Sequence, residues 1–302
     1  MKMVLLLLCG ALCMVIAAGC GYAEDKKAVV LLTDFGAKDG AVAAMKGVIH
    51  SADAAVPVYD ITHDIPAYNT WEAAYRLYQA APYWPAGTVF VSVVDPGVGT
   101  SRKSIVLQTK TGHTFVSPDN GTLSLVAQHM GIAAVYAVDE AAQRLPGSAA
   151  SYTFYGRDLY AYLGARLAAG QLTAAQTGRV LETPLHTIAY QKAEAAGGVI
   201  KGNIPVLDVQ YGNVWTNIPD SMVYKNRWHI NDTLLVTILH HDSAKTRLTM
   251  PLVRTFGDVP AGKPLAYFNS LMQLSFAINT GHFSGVHGTG SGPAWSVQVR
   301  RQ

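Results

Sequence analysis

The feature that most constrains the fold is a change of rhythm partway along the chain. From Ala28 to about Gly170, short apolar runs alternate with helical ones, the pattern of βαβ units. Beyond about Ala196, short apolar runs follow one another, separated by Gly, Asn and Asp turns, as in a small barrel or sandwich. The spacing predicts strands over Val29–Leu32, Val56–Ile61, Thr88–Val94 and Ala134–Val138, and a hairpin pairing Ile105–Gln108 with Thr114–Val116. Helices are expected over Gly40–Ile49, from a cap at Asn69 or Thr70, over Leu123–His129, and from Asp158 to Ala169 with Gly170 as the stop. In the second of these, Trp71, Ala74, Tyr75 and Tyr78 share one face. The fold class is therefore an α/β N-terminal domain with a mostly parallel sheet over 27–185, and a smaller all-β C-terminal domain over 196–302. In the second domain, strands are expected over Val199–Val209, Val214–Ile218, Thr233–Leu239, Arg247–Val253, Leu265–Phe268 and Trp295–Val299.

The 302 residues suffice for two modest domains with proper cores. Half are hydrophobic and 14% are charged, which excludes a disordered chain. The net charge of +3, with no basic run longer than two residues, leaves no nucleic-acid footprint.

The first residues stand apart. Met1-Lys2-Met3 and the apolar stretch Val4–Ala18, too short to span a bilayer comfortably, read as a signal peptide over 1–23. Ala17-Ala18-Gly19-Cys20 reads as a lipoprotein cleavage site, leaving a lipidated Cys20 as the new first residue. Cleavage after Ala23 and a retained anchor are the alternatives. The expectation is an exported protein, periplasmic or membrane-anchored, touching the membrane only through that lipid. Cys9, Cys13 and Cys20 all lie in this segment, so the mature domains have no disulfide, thiolate nucleophile or cysteine-bound metal.

Four segments carry candidate chemistry. Asp34 follows the first strand, where α/β sheets place ligands, and a carboxylate there suits a ribose diol; a turn aspartate is the plainer reading. In Asp95-Pro96-Gly97-Val98-Gly99, a buried strand ends in an acid and a tight loop, and Arg102 returns seven residues later. That loop presents an Asp–Arg pair to a pocket, or closes on itself as a structural ion pair. Thr153 to Asp158 opens a helix, with Gly156 letting a ligand approach the backbone or simply capping the start. The run Tyr211 to Asn217 offers an amide to read an adenine edge and aromatics to stack on it, or forms a turn with edge aromatics. His240-His241-Asp242 lacks a third ligand for a metal and reads as an exposed turn.

In this order, the segments resemble the S-adenosylmethionine (SAM) hydrolases that form adenosine, the SAM hydroxide adenosyltransferase family, related to SAM-dependent chlorinase and fluorinase. Further landmarks are Lys46-Gly47, Pro118-Asp119-Asn120-Gly121 and Asn269-Ser270. The resemblance implies a C-terminal β-barrel and a homotrimer, with SAM between one subunit's N-terminal domain and its neighbour's C-terminal domain. By position, Asp34 would hold the ribose hydroxyls and Tyr68 would line the ribose side. Tyr211 and Phe256 would sandwich adenine with Asn213 on its edge. Asp208 would pair with the methionine ammonium and Ser270 would help hold the carboxylate.

The implied reaction is attack of water on ribose C5′ with neutral methionine leaving. The sulfonium is already activated, so no cofactor or metal is expected; the water must be oriented and deprotonated. The resemblance assigns that work to Asp95 and Arg102, joined in the family by a His whose position holds Tyr155 here. Tyr-Gly at this point is similar to the chlorinase, but a carboxylate at Asp95 repels halide, so the hydrolase reading ranks above a halogenase. Leu271 stands where the halogenases carry an Arg after the serine. An exported nucleoside-binding lipoprotein without turnover is the competing reading of a different class.

Overall fold

The strand Val29–Thr33 (β1) is buried along its whole length, as a central parallel strand must be. A computed structural model describes residues 27–302; the expected signal peptide, its lipidation at Cys20 and all three cysteines lie outside them. Helix α1 (Ala41–Ala52) leads to β2 (Val58–Thr62), and α2 (Thr70–Ala80) to β3 (Val89–Val93). The Asn69 side chain caps α2 by accepting from the Glu72 amide. Strands β4 (Ser104–Thr109) and β5 (Thr114–Pro118) form the expected hairpin. Helix α3 (Ser124–Met130), β6 (Ile132–Val138), the single turn α4 (Glu140–Gln143), α5 (Tyr162–Ala168) and β7 (Gly178–Val180) complete the domain.

Their order in the sheet is β2-β1-β3-β5-β4-β6-β7. β1, β2, β3, β5 and β6 run one way and β4 and β7 the other, so the sheet is mixed but mostly parallel. The helix expected to begin at Asp158 has a different first half. Residues Gly156–Ala161 form a π-turn that hands over to α5, so the regular helix starts four residues late.

The C-terminal domain holds two antiparallel sheets. β10 (Val206–Asp208), β11 (Asn213–Pro219), β15 (Gln273–Ile278) and β14 (Pro264–Phe268) make the first. β13 (Ser243–Pro251), β12 (Thr233–His240), β16 (Gly292–Arg301), β9 (Val199–Ile204) and β8 (Glu194–Ala196) make the second. The expected barrel is met only as far as this β-rich pair of sheets. Expected Val199–Val209 is two strands broken at Pro205, which has no amide to donate. β15 was not expected at all. His241 and Asp242 form the β12–β13 turn, with φ of 47° and 61°.

Helix α2 ties the domains together. Its Ala74 and Tyr75 pack with Leu125, Val206 and Trp215. Trp71 Nε1 donates to the Pro205 carbonyl at 2.7 Å, and the Tyr75 hydroxyl to Gln273 Oε1 at 2.9 Å. The apolar face read from the sequence is thus an inter-domain face. Among the described residues no helix is long and apolar enough to cross a membrane.

Candidate active site

Asp34 and Asp95 extend from the carboxyl ends of the adjacent parallel strands β1 and β3, where such sheets open a crevice. A cleft of about 530 Å³ lies there, lined by Asp34, Phe35, Tyr68, Asp95, Val98, Tyr155 and Gly156 among others. Asp34 Oδ2 accepts from the Tyr68 amide at 2.8 Å. Tyr68 has φ of 66°, a strained conformation for a side-chain-bearing residue, and is 70% exposed. Behind Asp34, Thr33 Oγ1 meets His63 Nδ1 at 2.9 Å, His63 Nε2 meets Asp60 at 3.0 Å, and Lys46 reaches Asp60 at 2.6 Å. Burial pushes the Asp60 carboxyl up, but the hydrogen bonds from Lys46 and His63 outweigh it and hold it below its ordinary value. Lys46 therefore braces the wall and does not line the cleft.

The loop after β3 folds Arg102 back over Asp95. Arg102 Nε lies 3.0 and 2.9 Å from the two carboxylate oxygens, and Nη2 closes on Oδ2. Gly97 permits this fold, because a Cβ there would sit 3.1 Å from Arg102 Cγ. Both side chains are largely buried. Burial works against the Arg102 charge, yet its hydrogen bond to Asp95 and the neighbouring Tyr160, Asp95 and Glu140 raise its affinity for the proton. Asn120 steadies the loop from outside, donating to the Val94 carbonyl at 2.8 Å, so the Pro118–Gly121 segment is a brace. The Tyr155 ring lies between two guanidiniums, 5.3 Å from Arg102 and 4.5 Å from Arg144. Gly156 lines the cleft, and its missing Cβ makes room for the Phe35 ring, which would stand 3.0 Å away.

A second cleft, of about 590 Å³, opens on the C-terminal domain, lined by Asp208, Tyr211, Asn213, Trp215, Phe256, Tyr267, Asn269, Ser270 and His282 among others. The β10–β11 turn builds it. Gly212 has φ of 68°, and a side chain there would overlap the His282 ring. Asn213 Nδ2 donates to Asp208 Oδ2 at 3.1 Å, which orients both groups. Phe256 packs on Tyr267 at 4.8 Å, and burial pushes the Tyr267 phenol up to about 12. Asn269 Oδ1 accepts from the Leu271 and Gln273 amides at 2.9 and 3.1 Å, and its buried Nδ2 has no acceptor among the described residues.

The expected site residues thus fall into two groups. Asp34, Tyr68, Asp95, Tyr155 and Gly156 line one cleft with Arg102 behind it; Asp208, Tyr211, Asn213, Phe256 and Ser270 line the other. Among the described residues, the clefts share no lining residue. Sequence reasoning missed Ser104, Glu140, Arg144 and Tyr160 around Arg102 and Tyr155, and Tyr267 and His282 in the second cleft, while Asn269 was quoted only as a landmark. Trp215 stood in the quoted aromatic run; the missed residues carry no local signal.

Known proteins resemble this chain over most of its length. A model of the SAM hydroxide adenosyltransferase N-terminal domain matches residues 29–178, and one of the C-terminal domain matches 202–296. The chain is 33% identical over 233 residues to an (R)-S-adenosyl-L-methionine hydrolase of Methanocaldococcus jannaschii, covering 76% of this chain and 80% of that protein. The enzyme of the same description from Thermus thermophilus is 33% identical over 258 residues, covering 84% and 92%. A fluorinase of Actinoplanes sp. is 27% identical over 283 residues, covering 85% and 92%. Among solved structures, an uncharacterized conserved protein from Thermotoga maritima superposes with a TM-score of 0.81 at 32% identity, covering 90% of this chain and all of that one.

Proposed function

Because the chain belongs to the SAM hydroxide adenosyltransferase family, we propose that it hydrolyses SAM to adenosine and L-methionine, on the R form that the relatives' names specify. The observation that carries the reading is the buried Asp95–Arg102 pair at the strand ends, facing a cleft large enough for a ribose and one water. Water attacks C5′, the C5′–S bond breaks, and its electron pair leaves with the now neutral thioether of methionine. The water's proton passes to Asp95 and on to solvent, so a sulfonium cation and water yield two neutral products and one proton. Arg102 fixes the carboxylate, and Tyr155 packs on Arg102 where the family carries a His. The sulfonium supplies its own leaving group, so the step calls for no cofactor. Asp34 and Tyr68 hold the ribose; Tyr211, Phe256 and Asn213 take adenine; Asp208 and Ser270 take the amino-acid end.

A homotrimer is part of the proposal. Two half-lined clefts with no common residue are what a site completed by a neighbouring subunit requires. Tyr211 stands 65% exposed at the mouth of one of them, as a ring awaiting a ligand and a partner would. We read the two C-terminal sheets as one barrel opened along a seam, since a bridge between Leu252 and Ala266 links them. The first 23 residues are proposed as a lipoprotein-type export signal, which places the enzyme outside the cytosol on a Cys20 lipid.

Purified protein incubated with each sulfonium epimer of SAM tests the activity. Adenosine and methionine in excess over enzyme are expected from the R form. Ligand retained without turnover would make it a binding protein, and 5′-chloro-5′-deoxyadenosine formed with added chloride would make it a halogenase.

A further inference from the structure

The single helical turn α4 reaches the cleft from behind at two points, and neither contact has a part in the reaction described so far. Its first residue, Glu140, accepts from Ser104 Oγ at 2.6 Å and faces Arg102 Nη1 at 3.4 Å. The residue that ends it, Arg144, stacks on Tyr155 at 4.5 Å and is pinned by its hydrogen bond to the Ser151 carbonyl. Ser104 links the two acids' territory. Its hydroxyl has one proton, given to Glu140, so it accepts from Arg102 Nη1 at 3.0 Å and from the Tyr160 hydroxyl at 2.8 Å. Tyr160 is fully buried, and burial pushes its phenol up, so it remains a donor.

Arg102 thus faces two carboxylates. Asp95 takes Nε and Nη2 on the cleft side; Glu140, directly and through Ser104, takes Nη1 on the far side. With Nε and Nη2 on Asp95 and Nη1 on the far side, all three guanidinium nitrogens are held, which fixes its plane and the carboxylate it orients. The second acid also leaves the group with a net negative charge, which disfavours a halide beside Arg102.

We propose that Glu140 is a positioning residue for Arg102, and that α4 as a unit sets the water-handling geometry, with Arg144 holding Tyr155 in place. The inference rests on the hydrolase reading for its kinetic consequence, but not for its structural one.

Glu140→Gln keeps the shape and removes the charge. It is expected to lower kcat for SAM about ten-fold with KM changed less than about two-fold, because the ligand's binding groups lie elsewhere. Added chloride is expected to inhibit this variant several-fold more than the parent, a response that a merely structural role would not produce. Nitrogen NMR of Arg102 reads the clamp without turnover: separate, slowly exchanging Nη signals are expected in the parent, and faster exchange between them in Glu140→Gln and Glu140→Ala. Unchanged Arg102 signals, or an unchanged kcat and chloride response in a folded variant, overturn the proposal. If the parent makes no adenosine while the Nη signals respond as expected, the hydrolase reading fails and the clamp stands.

Discussion

The two clefts are built on opposite plans. In the N-terminal one, the polar groups are already engaged with one another: Asp95 with Arg102, Asp34 with the Tyr68 amide, Tyr155 between two guanidiniums. In the C-terminal one, Asn213 and Asp208 are paired with each other, but aromatic faces stand open and Asn269 Nδ2 has no acceptor among the described residues. Groups fixed before the ligand arrives suit a step whose barrier depends on placement. Faces and donors left unfilled suit recognition, where the ligand itself completes the contacts. On the proposed function, the contrast fits the reacting groups to the first domain and adenine and amino-acid recognition to the second.

The largest test of this division is Asp95→Ala, expected to lower kcat by about 10³-fold with KM for SAM within a few-fold, as measured by adenosine release. An effect confined to KM would erase the distinction. Asp208→Ala should do the reverse, raising KM about 10- to 100-fold and sparing kcat, because it removes a charged partner and strands Asn213. Mixing these two variants after partial dissociation sharpens the comparison further. If one subunit's first cleft meets a neighbour's second, about a quarter of the sites in a random hybrid regain both intact halves and activity returns. Tyr211→Ala, which removes one stacking face, should raise KM about 3- to 10-fold.

The smallest effect concerns the brace behind Asp34. The folded-state Asp60 carboxyl titrates below its ordinary value of 3.8, so its contribution is complete above that pH and fades as pH falls further. Its one-third exposure screens the pair and keeps the effect below about 1 kcal/mol. Thermal unfolding should therefore lose a few degrees between pH 4 and pH 3, and Lys46→Met should flatten part of that slope.

The halves also differed in how far they could be read from sequence. β1 and α2 were legible nearly to the residue, because a fully apolar run and a 3.6-residue stripe leave few alternatives. The loop Asp95–Arg102 was legible as a pair because its partners lie seven residues apart. β15 was not: Gln273 and Ser275 break its apolar run, although every residue of it is buried. Its Gln273 is satisfied by Tyr75 from the other domain, 198 positions away, which no local pattern encodes. The π-turn at Gly156–Ala161 hid behind an ordinary helical spacing. Glu140 went unread in sequence; it follows the capping Asp139 in the fold, and only the sheet carries it to Arg102.

Helix α2 begins two residues after Tyr68, and its body is wedged into the second domain through Trp71 and Tyr75. Levering the halves apart would drag on Tyr68, the residue proposed to line the ribose side. A clamshell opening would have to break those inter-domain contacts, so on the proposed function substrate enters past side chains and loops at the rim.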